Sequence, residues 1–319
     1  MTGLDPDNWD ALRALGHQMV DDMFNRLSTL RTRPVWQPMP TALREQLRTG
    51  LPHDPTPPEE LYARFRELVE PYSTGNIHPG FMGWVHGGGT AVGMLSELLV
   101  GGLNANCGGR DHAPIEVERE VIRWAAEMCG FPPETTGLLV TGSSMANMIA
   151  VITASRAVPD GLDMRAKGVG TRRLVGYAAA TAHGCISRAF DLTGLGTDSL
   201  RVIPVGADNR MILPELEQAI ARDRAAGLEP FIVIGTAGTV DTGAIDDLDA
   251  LADIAARENI WFHVDGAFGA LAMLSDTLRP GLRGLERADS VAFDFHKWAQ
   301  VQYDAGCILV RRPGAQAAA

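Results

Sequence analysis

The sequence has few of the features that mark membrane, disulfide-rich and nucleic-acid-binding proteins. Its 319 residues include four cysteines and no Cys-x-x-Cys pair, so neither a zinc site nor a disulfide framework is indicated. No apolar run approaches the roughly 20 residues that a membrane helix needs. The formal net charge is −11 and no basic run compensates it, which argues against a nucleic-acid partner.

The beginning of the sequence also lacks a targeting pattern. Residues 1–12 contain neither a basic n-region nor an apolar h-region, so no secretory signal is predicted and the protein is expected to be cytoplasmic. Hydrophobic residues make up 45% of the chain. This content and length suffice for one large core or for a large domain with an appendage.

Residues 1–93 are predicted to form a helical, proline-rich arm. Apolar residues at spacings of three and four predict a helix between residues 8 and 30, and a shorter helix is expected over residues 59–69. Seven prolines exclude long helices from residues 33–58. Such an arm has little core of its own, so it must pack on another surface, such as that of a second subunit.

Residues 94–319 have the pattern of one large α/β domain. The apolar β-type runs, most of them separated by helical stretches, are residues 137–141, 173–178, 200–205, 230–235, 260–265, 289–293 and 306–310. This alternation predicts a mainly parallel seven-stranded sheet covered by helices on both faces. Ligands of such sheets bind at the carboxyl ends of the strands.

Two motifs at strand ends offer groups for an anion and for a planar ring. The first strand runs into Gly142-Ser143-Ser144 and then a helix. The N–H groups and hydroxyls there would bind phosphate, although the same pattern is also an ordinary helix N-cap. His183 follows the second strand, where it could stack on an aromatic ligand or simply fill a turn.

Two further motifs offer an acid and an amine. Asp265 ends a buried strand, where an unpaired carboxylate is costly, so it would pair with a protonated pyridine nitrogen or cap the next turn. Lys297 lies between His296 and Trp298, whose bulk favours the neutral, nucleophilic amine; the alternative is a solvated surface lysine. In chain order the four motifs match the phosphate, ring face, ring nitrogen and aldehyde of pyridoxal 5'-phosphate.

The order of these motifs resembles that of the group II pyridoxal-phosphate-dependent amino acid decarboxylases, the family of the aromatic-L-amino-acid and glutamate decarboxylases. The resemblance runs from about Ile77 to Val310, and HVDGA and HKW are its most specific segments. It implies the fold type I (aspartate aminotransferase-like) architecture and conversion of an L-amino acid to the amine and carbon dioxide. It also implies a homodimer, because the N-terminal segment packs across the dimer in this family.

The resemblance assigns one group of residues to the aldehyde and phosphate of the cofactor. Lys297 would form the Schiff base, and His296 would reach the phosphate. Ser143 and Ser144 would bind the phosphate from the start of their helix.

A second group is assigned to the cofactor ring. His183 would stack on one face, and Ala267 would press its methyl group against the other. Asp265 would pair with the ring nitrogen, and Thr239 falls in the segment near the ring hydroxyl. Lys297, His183 and Asp265 are the predicted catalytic residues.

The segment NIHPGFMGWVHGG resembles the substrate-side loop of the family. It would place His78, Trp84 and His86 near the substrate pocket, although such residues are also common packing groups. Asn104 and Arg110 fall in a segment that often lines this pocket, which suggests a substrate more polar than a bare aromatic ring.

The sequence departs from the family at two places. Asp294 stands where members often have asparagine, and a carboxylate is an unusual neighbour for a phosphate. The sequence ends at Ala319, whereas members continue with a loop that carries a catalytic tyrosine and with a small C-terminal domain, which is therefore expected to be absent. The alternatives left open are another fold type I chemistry, such as a class V aminotransferase, a lyase or an oxidative deaminase, and a catalytically incomplete dimerisation partner.

Overall fold

The structure is a computed structural model that describes residues 5–109 and 111–319. The chain divides into two compact units, one of residues 1–83 and 90–95 and one of residues 84–89 and 96–319. Within the described residues no helix is long and apolar enough to cross a membrane. Arg110, predicted to line the substrate pocket, lies outside the described residues.

The described part of the first unit contains α1 (Trp9–Ser28), α2 (Thr41–Glu45), α3 (Pro58–Leu68) and the first turn of a further helix, α4 (Ala91–Leu103). Asn8 begins α1, because its Oδ1 accepts hydrogen bonds from the N–H groups of Asp10 and Ala11. Helices α1 and α3 are joined at Asp22, whose Oδ2 accepts hydrogen bonds from Tyr62 at 2.7 Å and from Arg66 at 2.9 Å. Both helices predicted for this region are therefore present.

The second unit is built on one seven-stranded sheet. Its strands are β1 (Thr136–Val140), β2 (Leu174–Ala179), β3 (Leu200–Ile203), β4 (Glu229–Thr236), β5 (Trp261–Asp265), β6 (Ser290–Asp294) and β7 (Gly306–Val310). The spatial order is β1-β7-β6-β5-β4-β2-β3. Only β7 runs antiparallel to its neighbours β1 and β6, and all the other pairs are parallel. The predicted mainly parallel sheet is confirmed.

Helices cover both faces of this sheet. Besides α1 to α4, the described residues contain the α-helices α5 (Ala113–Met128), α6 (Ser143–Ala157), α7 (Met164–Lys167), α8 (Cys185–Leu192), α9 (Leu213–Ala225), α10 (Leu248–Glu258) and α11 (Ala315–Ala318). Successive residues of β4 belong to different apolar clusters, since Val233 packs with α9 and α10 while Ile232 and Ile234 pack with α6 and α8. One face of the sheet is thus buried under α6 and α8, and the other under α9 and α10 together with α5.

The carboxyl ends of β5 and β6 are held side by side. Beyond β5, the N–H of Gly266 donates to the carbonyl of Ala292 at 2.9 Å, and Asp294 returns a hydrogen bond to the carbonyl of Ala267 at 2.9 Å. At the start of β7, a Cβ added to Gly306 would lie 2.5 Å from the Cα of Gly142. Glycine at 306 therefore lets the turn before α6 approach the same edge of the sheet.

Candidate active site

Lys297 lies just beyond β6 and forms an ion pair with a buried acid. Its Nζ is 2.9 Å from Oδ2 of Asp294, whose side chain is 2% exposed. The side chain of Lys297 is itself only 20% exposed. The sequence contains a single other lysine, Lys167, which is 73% exposed and pairs with Asp163. Lys297 therefore differs sharply from a solvated surface lysine.

The start of α6 meets the same acid. Asp294 accepts hydrogen bonds from the backbone N–H of Ser143 at 2.5 Å and from its Oγ at 2.8 Å. Ser144 is exposed, and its hydroxyl contributes a hydrogen bond to the Cys185 thiol. Two of the donors that the sequence assigned to a phosphate thus already contact the carboxylate of Asp294.

His296 connects Lys297 to a neighbouring loop. Its Nδ1 accepts a hydrogen bond from the N–H of Ala305 at 3.0 Å, and its ring stacks on that of Tyr303 with centroids 4.2 Å apart. Burial is the main cause that lowers the pKa of His296. The neutral ring therefore carries its proton on Nε2, which lies 3.6 Å from Oδ2 of Asp294.

Two of the predicted substrate-side residues lie close to His296. Nδ1 of His86 is 2.9 Å from the hydroxyl of Tyr303, and Trp84 packs edge-on to His86 with centroids 5.9 Å apart. Gly87 leaves no room for a Cβ against the carbonyl of His296. The structure thus brings the 84–87 segment against the residues that flank Lys297.

Asp265 lies at the end of β5 with its side chain enclosed by protein. It is 3% exposed, and its Oδ1 accepts a hydrogen bond from the N–H of Ala267 at 3.2 Å. Burial raises the pKa of Asp265, whereas hydrogen bonds from Ala267 and Asn147 and the charges of Lys297 and His183 act to lower it. Lys297 and His183 are therefore near enough to Asp265 to act on its pKa, though less than its burial does.

The other predicted ring contacts lie in loops that follow neighbouring strands. His183, beyond β2, is exposed, and its Nδ1 accepts a hydrogen bond from the N–H of Cys185 at 3.2 Å. Thr239, beyond β4, is buried, and its hydroxyl contacts that of Thr242 at 2.7 Å. The roles assigned to these two residues and to Ala267 stay predictions.

The two remaining substrate-side candidates are not brought into this group. His78 belongs to the first unit, where its Nδ1 accepts a hydrogen bond from the N–H of Gly80 at 2.9 Å. Asn104 is an exposed residue with a left-handed backbone that directly follows α4. Their predicted contact with substrate stays a prediction.

Three residues important to the site were missed or undervalued from sequence. Asp294 was noted only as a departure from the family, and Tyr303 and Asn147 were not singled out. A signal for Asn147 was present, because it is the one amide side chain in the apolar stretch MANMIAVI that lies one turn beyond Ser143. No local pattern marks Tyr303, whose partners His86 and His296 come from a distant loop and a nearby turn.

The residues at this edge of the sheet fit pyridoxal phosphate. In the part of the chain that the structure describes, Asp265 forms no ion pair within 4.0 Å, yet burial of an ionised carboxylate requires a compensating positive charge. A protonated pyridine nitrogen would supply that charge. The amine of Lys297 and the donors at the start of α6 would serve the aldehyde and the phosphate.

Comparison with known proteins agrees with this donor set. A family model described as the pyridoxal-dependent decarboxylase conserved domain matches residues 40–318. The chain is 33% identical over 310 residues to an aromatic-L-amino-acid decarboxylase of Bacillus atrophaeus. The aligned region covers 95% of this chain and 62% of the relative. The chain therefore spans about three fifths of the length of this curated relative.

Solved structures show the same architecture. The glutamate decarboxylase domain of a diaminobutyrate-pyruvate transaminase and L-2,4-diaminobutyrate decarboxylase from Vibrio parahaemolyticus is similar with a TM-score of 0.90 at 26% identity, over 98% of this chain and 69% of that chain. Oryza sativa TDC, solved with PLP and tryptamine, is similar with a TM-score of 0.88 at 28% identity, over 98% and 66%. The chain therefore belongs to the pyridoxal-dependent decarboxylase family, with fold type I and pyridoxal phosphate as its cofactor, as its motifs predicted.

Proposed function

We propose that this chain carries the cofactor site of an amino acid decarboxylase, which converts an L-amino acid to its amine and carbon dioxide, and that Lys297 holds the cofactor covalently. The observation that carries the proposal is the ion pair between Lys297 Nζ and the buried Asp294 at the end of β6. The buried Asp265 ends the neighbouring strand β5. An amine, an unpaired acid and a set of anion donors at one sheet edge are the groups that this cofactor needs.

Each residue has a distinct task in the proposed reaction. When bound, pyridoxal phosphate supplies the electron sink that allows a carboxylate to leave an amino acid as carbon dioxide. Asp265 would hold a proton on the ring nitrogen and so keep the ring positively charged. His183 would stack on the ring, Ser143 and Ser144 would bind the phosphate, and His296 would reach it from the far side of Asp294.

The substrate must also receive a proton at the carbon that loses its carboxylate. His86 and Tyr303 share a hydrogen bond of 2.9 Å beside His296, so this pair holds an exchangeable proton next to the residues that flank Lys297. A positioned proton donor of this kind contributes roughly 10²- to 10⁴-fold to a rate. The pair is therefore proposed to form the substrate-facing side of the site, together with Trp84.

The substrate class is proposed only as an L-amino acid. The Bacillus relative is named for aromatic amino acids, and the Oryza structure contains tryptamine. The Vibrio structure is named for glutamate and diaminobutyrate. These names do not agree on one substrate side chain. A substrate side chain with a polar group is proposed only from the resemblance, which assigns Asn104 to the substrate pocket.

The proposed functional unit is a homodimer. Helix α4 carries leucines at 98, 99 and 103 that are between 61% and 73% exposed. Contiguous apolar surface of this kind marks an interaction site in a water-soluble protein. A second copy of the chain is the proposed partner for this surface.

Covalent trapping tests the assignment of Lys297. The protein is incubated with pyridoxal phosphate, reduced with borohydride and digested, and mass spectrometry locates the adduct. The sequence has only two lysines, so Lys167→Ala is a matched control that keeps the adduct, whereas Lys297→Ala should lose it. An adduct on Lys167, or on neither lysine, would refute the assignment.

Product analysis tests the reaction itself. The protein is offered a panel of L-amino acids, and carbon dioxide, amine, keto acid, aldehyde, ammonia and hydrogen peroxide are measured in parallel. Carbon dioxide and amine in equal amounts support decarboxylation. A keto acid without carbon dioxide would indicate an aminotransferase if no ammonia is released and an oxidative deaminase if ammonia and hydrogen peroxide accompany it. An aldehyde with carbon dioxide, ammonia and hydrogen peroxide would indicate decarboxylation coupled to oxidative deamination by molecular oxygen.

A further inference from the structure

His263 is a completely buried titratable residue with no task in the proposed reaction. It lies on β5, two residues before Asp265, and its side chain is 0% exposed. Burial lowers the pKa of His263 to about 3, so the ring is neutral at physiological pH. A polar side chain in such a place destabilises the fold unless its hydrogen bonds are satisfied.

Both ring nitrogens of His263 are engaged by side chains that are themselves buried. Nε2 is 2.7 Å from Oδ1 of Asn147 on α6, and Nδ1 is 2.8 Å from Oγ of Ser290 on β6. The same Oγ accepts a hydrogen bond from Nε1 of Trp261 at 2.8 Å. None of these side chains is more than 3% exposed. Trp261, Ser290, His263 and Asn147 are called the buried network below.

The contact between His263 and Asn147 fixes the position of the His263 proton. Oδ1 of Asn147 can only accept, so Nε2 carries the proton of the neutral ring and donates to it. Nδ1 is then bare and accepts from the Ser290 hydroxyl, which itself accepts from the indole of Trp261; Nδ1 also lies 3.2 Å from the Ser290 carbonyl. The amide NH₂ of Asn147 is thereby left to face the opposite way.

That NH₂ group lies against Cys185, since Asn147 Nδ2 contacts Cys185 Sγ at 3.4 Å. The Asn147 side chain also acts on Asp265: burial raises the pKa of that carboxyl, and hydrogen bonding from Ala267 and Asn147 lowers it. Because a reversed amide would present its oxygen to Asp265 instead, the orientation of Asn147 decides whether Asp265 is supported or repelled.

We propose that His263 is a positioning residue: acting through the buried network, it orients the Asn147 amide so that Asp265 is held as the hydrogen-bond acceptor for the ring nitrogen of the cofactor. The inference rests on the role proposed above for Asp265. Trp261 and Ser290 engage the Nδ1 side of His263, and its Nε2 holds the Asn147 amide across the space between β6 and α6.

Cofactor discrimination provides a readout that does not depend on turnover. In 1-deazapyridoxal phosphate a carbon replaces the ring nitrogen, so the ratio of its dissociation constant to that of pyridoxal phosphate measures the contact with Asp265. The wild-type protein should prefer pyridoxal phosphate, and Asp265→Asn should abolish that preference. His263→Phe should reduce the preference by roughly tenfold, the effect of a weakened hydrogen bond to a charged group.

Conservative variants separate positioning from general damage to the core. His263→Gln retains an N–H donor for Asn147, so it should keep most of the preference. Trp261→Phe and Ser290→Ala act on the far end of the network and should each reduce the preference by a few fold. If His263→Phe binds both cofactors less tightly by the same factor, or keeps the full preference, the positioning role is wrong.

Asp265→Asn makes the two possible failures distinguishable. If this variant loses the preference while the folded network variants keep it, only the network inference is overturned. If Asp265→Asn also keeps the preference, the role of Asp265 and the network inference are both overturned.

The tautomer of His263 tests the inference without any change to the fold. The sequence has eight histidines. Comparison of ¹⁵N spectra of the wild-type protein and His263→Gln assigns the His263 signal, which is the one missing from the variant. It should report a proton on Nε2 and a bare Nδ1 throughout the neutral pH range. A proton on Nδ1 would reverse the network and overturn the proposal, even if His263→Phe does not fold.

Discussion

The carboxyl end of the sheet buries polar side chains, whereas helix α4 exposes apolar ones. At the sheet end, polar side chains such as those of Asn147, His263 and Ser290 are fully buried, and each has its hydrogen-bond partners within the chain. On α4, the apolar side chains of Leu98 and Leu99 are largely exposed. The comparison teaches that the buried polar side chains at the sheet end are partnered within the chain, whereas the apolar side chains of α4 remain exposed.

The largest expected effect concerns the acid at the sheet end. Asp265→Asn should lower turnover by several hundredfold, because loss of a buried charge partner costs about 3–5 kcal/mol. Affinity for pyridoxal phosphate should fall much less, since the donors at Ser143 and Ser144 remain. Steady-state kinetics and cofactor titration measure the two effects, and Asp191→Asn on α8 is a control at an exposed position. Near-normal turnover would remove the ring-nitrogen role.

The buried histidine should make the sheet end sensitive to acid. Its pKa is 6.5 in the unfolded chain and about 3 in the folded protein, so between these values the unfolded state binds the extra proton. The free energy of unfolding therefore falls as the pH drops below 6.5, by about 2 kcal/mol at pH 5.

Urea unfolding of the cofactor-free protein and of His263→Gln at pH 7.5 and pH 5 measures this effect. The difference between the two proteins isolates His263, because all other groups titrate in both. Equal pH dependence in the two proteins would show that His263 is not buried as a neutral base.

The other side of the comparison is tested on α4. Leu99→Glu should place a charge in the proposed dimer interface and raise the dimer dissociation constant by at least about thirtyfold, or about 2 kcal/mol. Leu192→Glu on α8 is a matched control, because Leu192 is 73% exposed and lies outside α4. Analytical ultracentrifugation gives both dissociation constants. A monomeric wild-type protein at micromolar concentration, or equal effects of the two substitutions, would contradict the proposed interface.

The smallest expected effect concerns the acid beside Lys297. Asp294→Asn keeps an acceptor for Ser143 but removes a negative charge from the proposed phosphate site. Affinity for pyridoxal phosphate should rise by a few fold, consistent with a Coulomb interaction of about 1 kcal/mol at a partly solvated site. Affinity for pyridoxal, which lacks the phosphate, should change less. An equal change for both compounds would show that Asp294 does not act on the phosphate.

Sequence patterns predicted the strands well but not how the strands are arranged. The run 306–310 has the bounds of β7, and the predicted run 289–293 differs from β6 by one residue. The insertion of antiparallel β7 between β1 and β6 was not predicted, because periodicity shows which residues are buried but not which strands are neighbours. For that reason the contact between Ser143 and Asp294, 151 residues apart, could not be foreseen.

The site was predictable where a residue stands at a strand end and unpredictable where a contact crosses the fold. Asp265 and Lys297 could be singled out because Asp265 ends one strand and Lys297 lies three residues beyond another; their roles stay predictions. His263 was visible in the HVDGA motif, but its partners Asn147 and Ser290 come from other elements. Only the packed structure indicates that the polar residues inside the core are connected to Asp265.

The scarcity of lysine gives the protein a built-in occupancy reporter. Apart from the N-terminal amine, an acylating reagent can modify only Lys167 and Lys297. Lys167 is exposed and should react at a constant rate, whereas Lys297 should be protected in proportion to the fraction of protein that carries cofactor. The ratio of the two modified peptides would therefore give cofactor loading directly, with one side chain of the same molecule serving as the internal standard for the other.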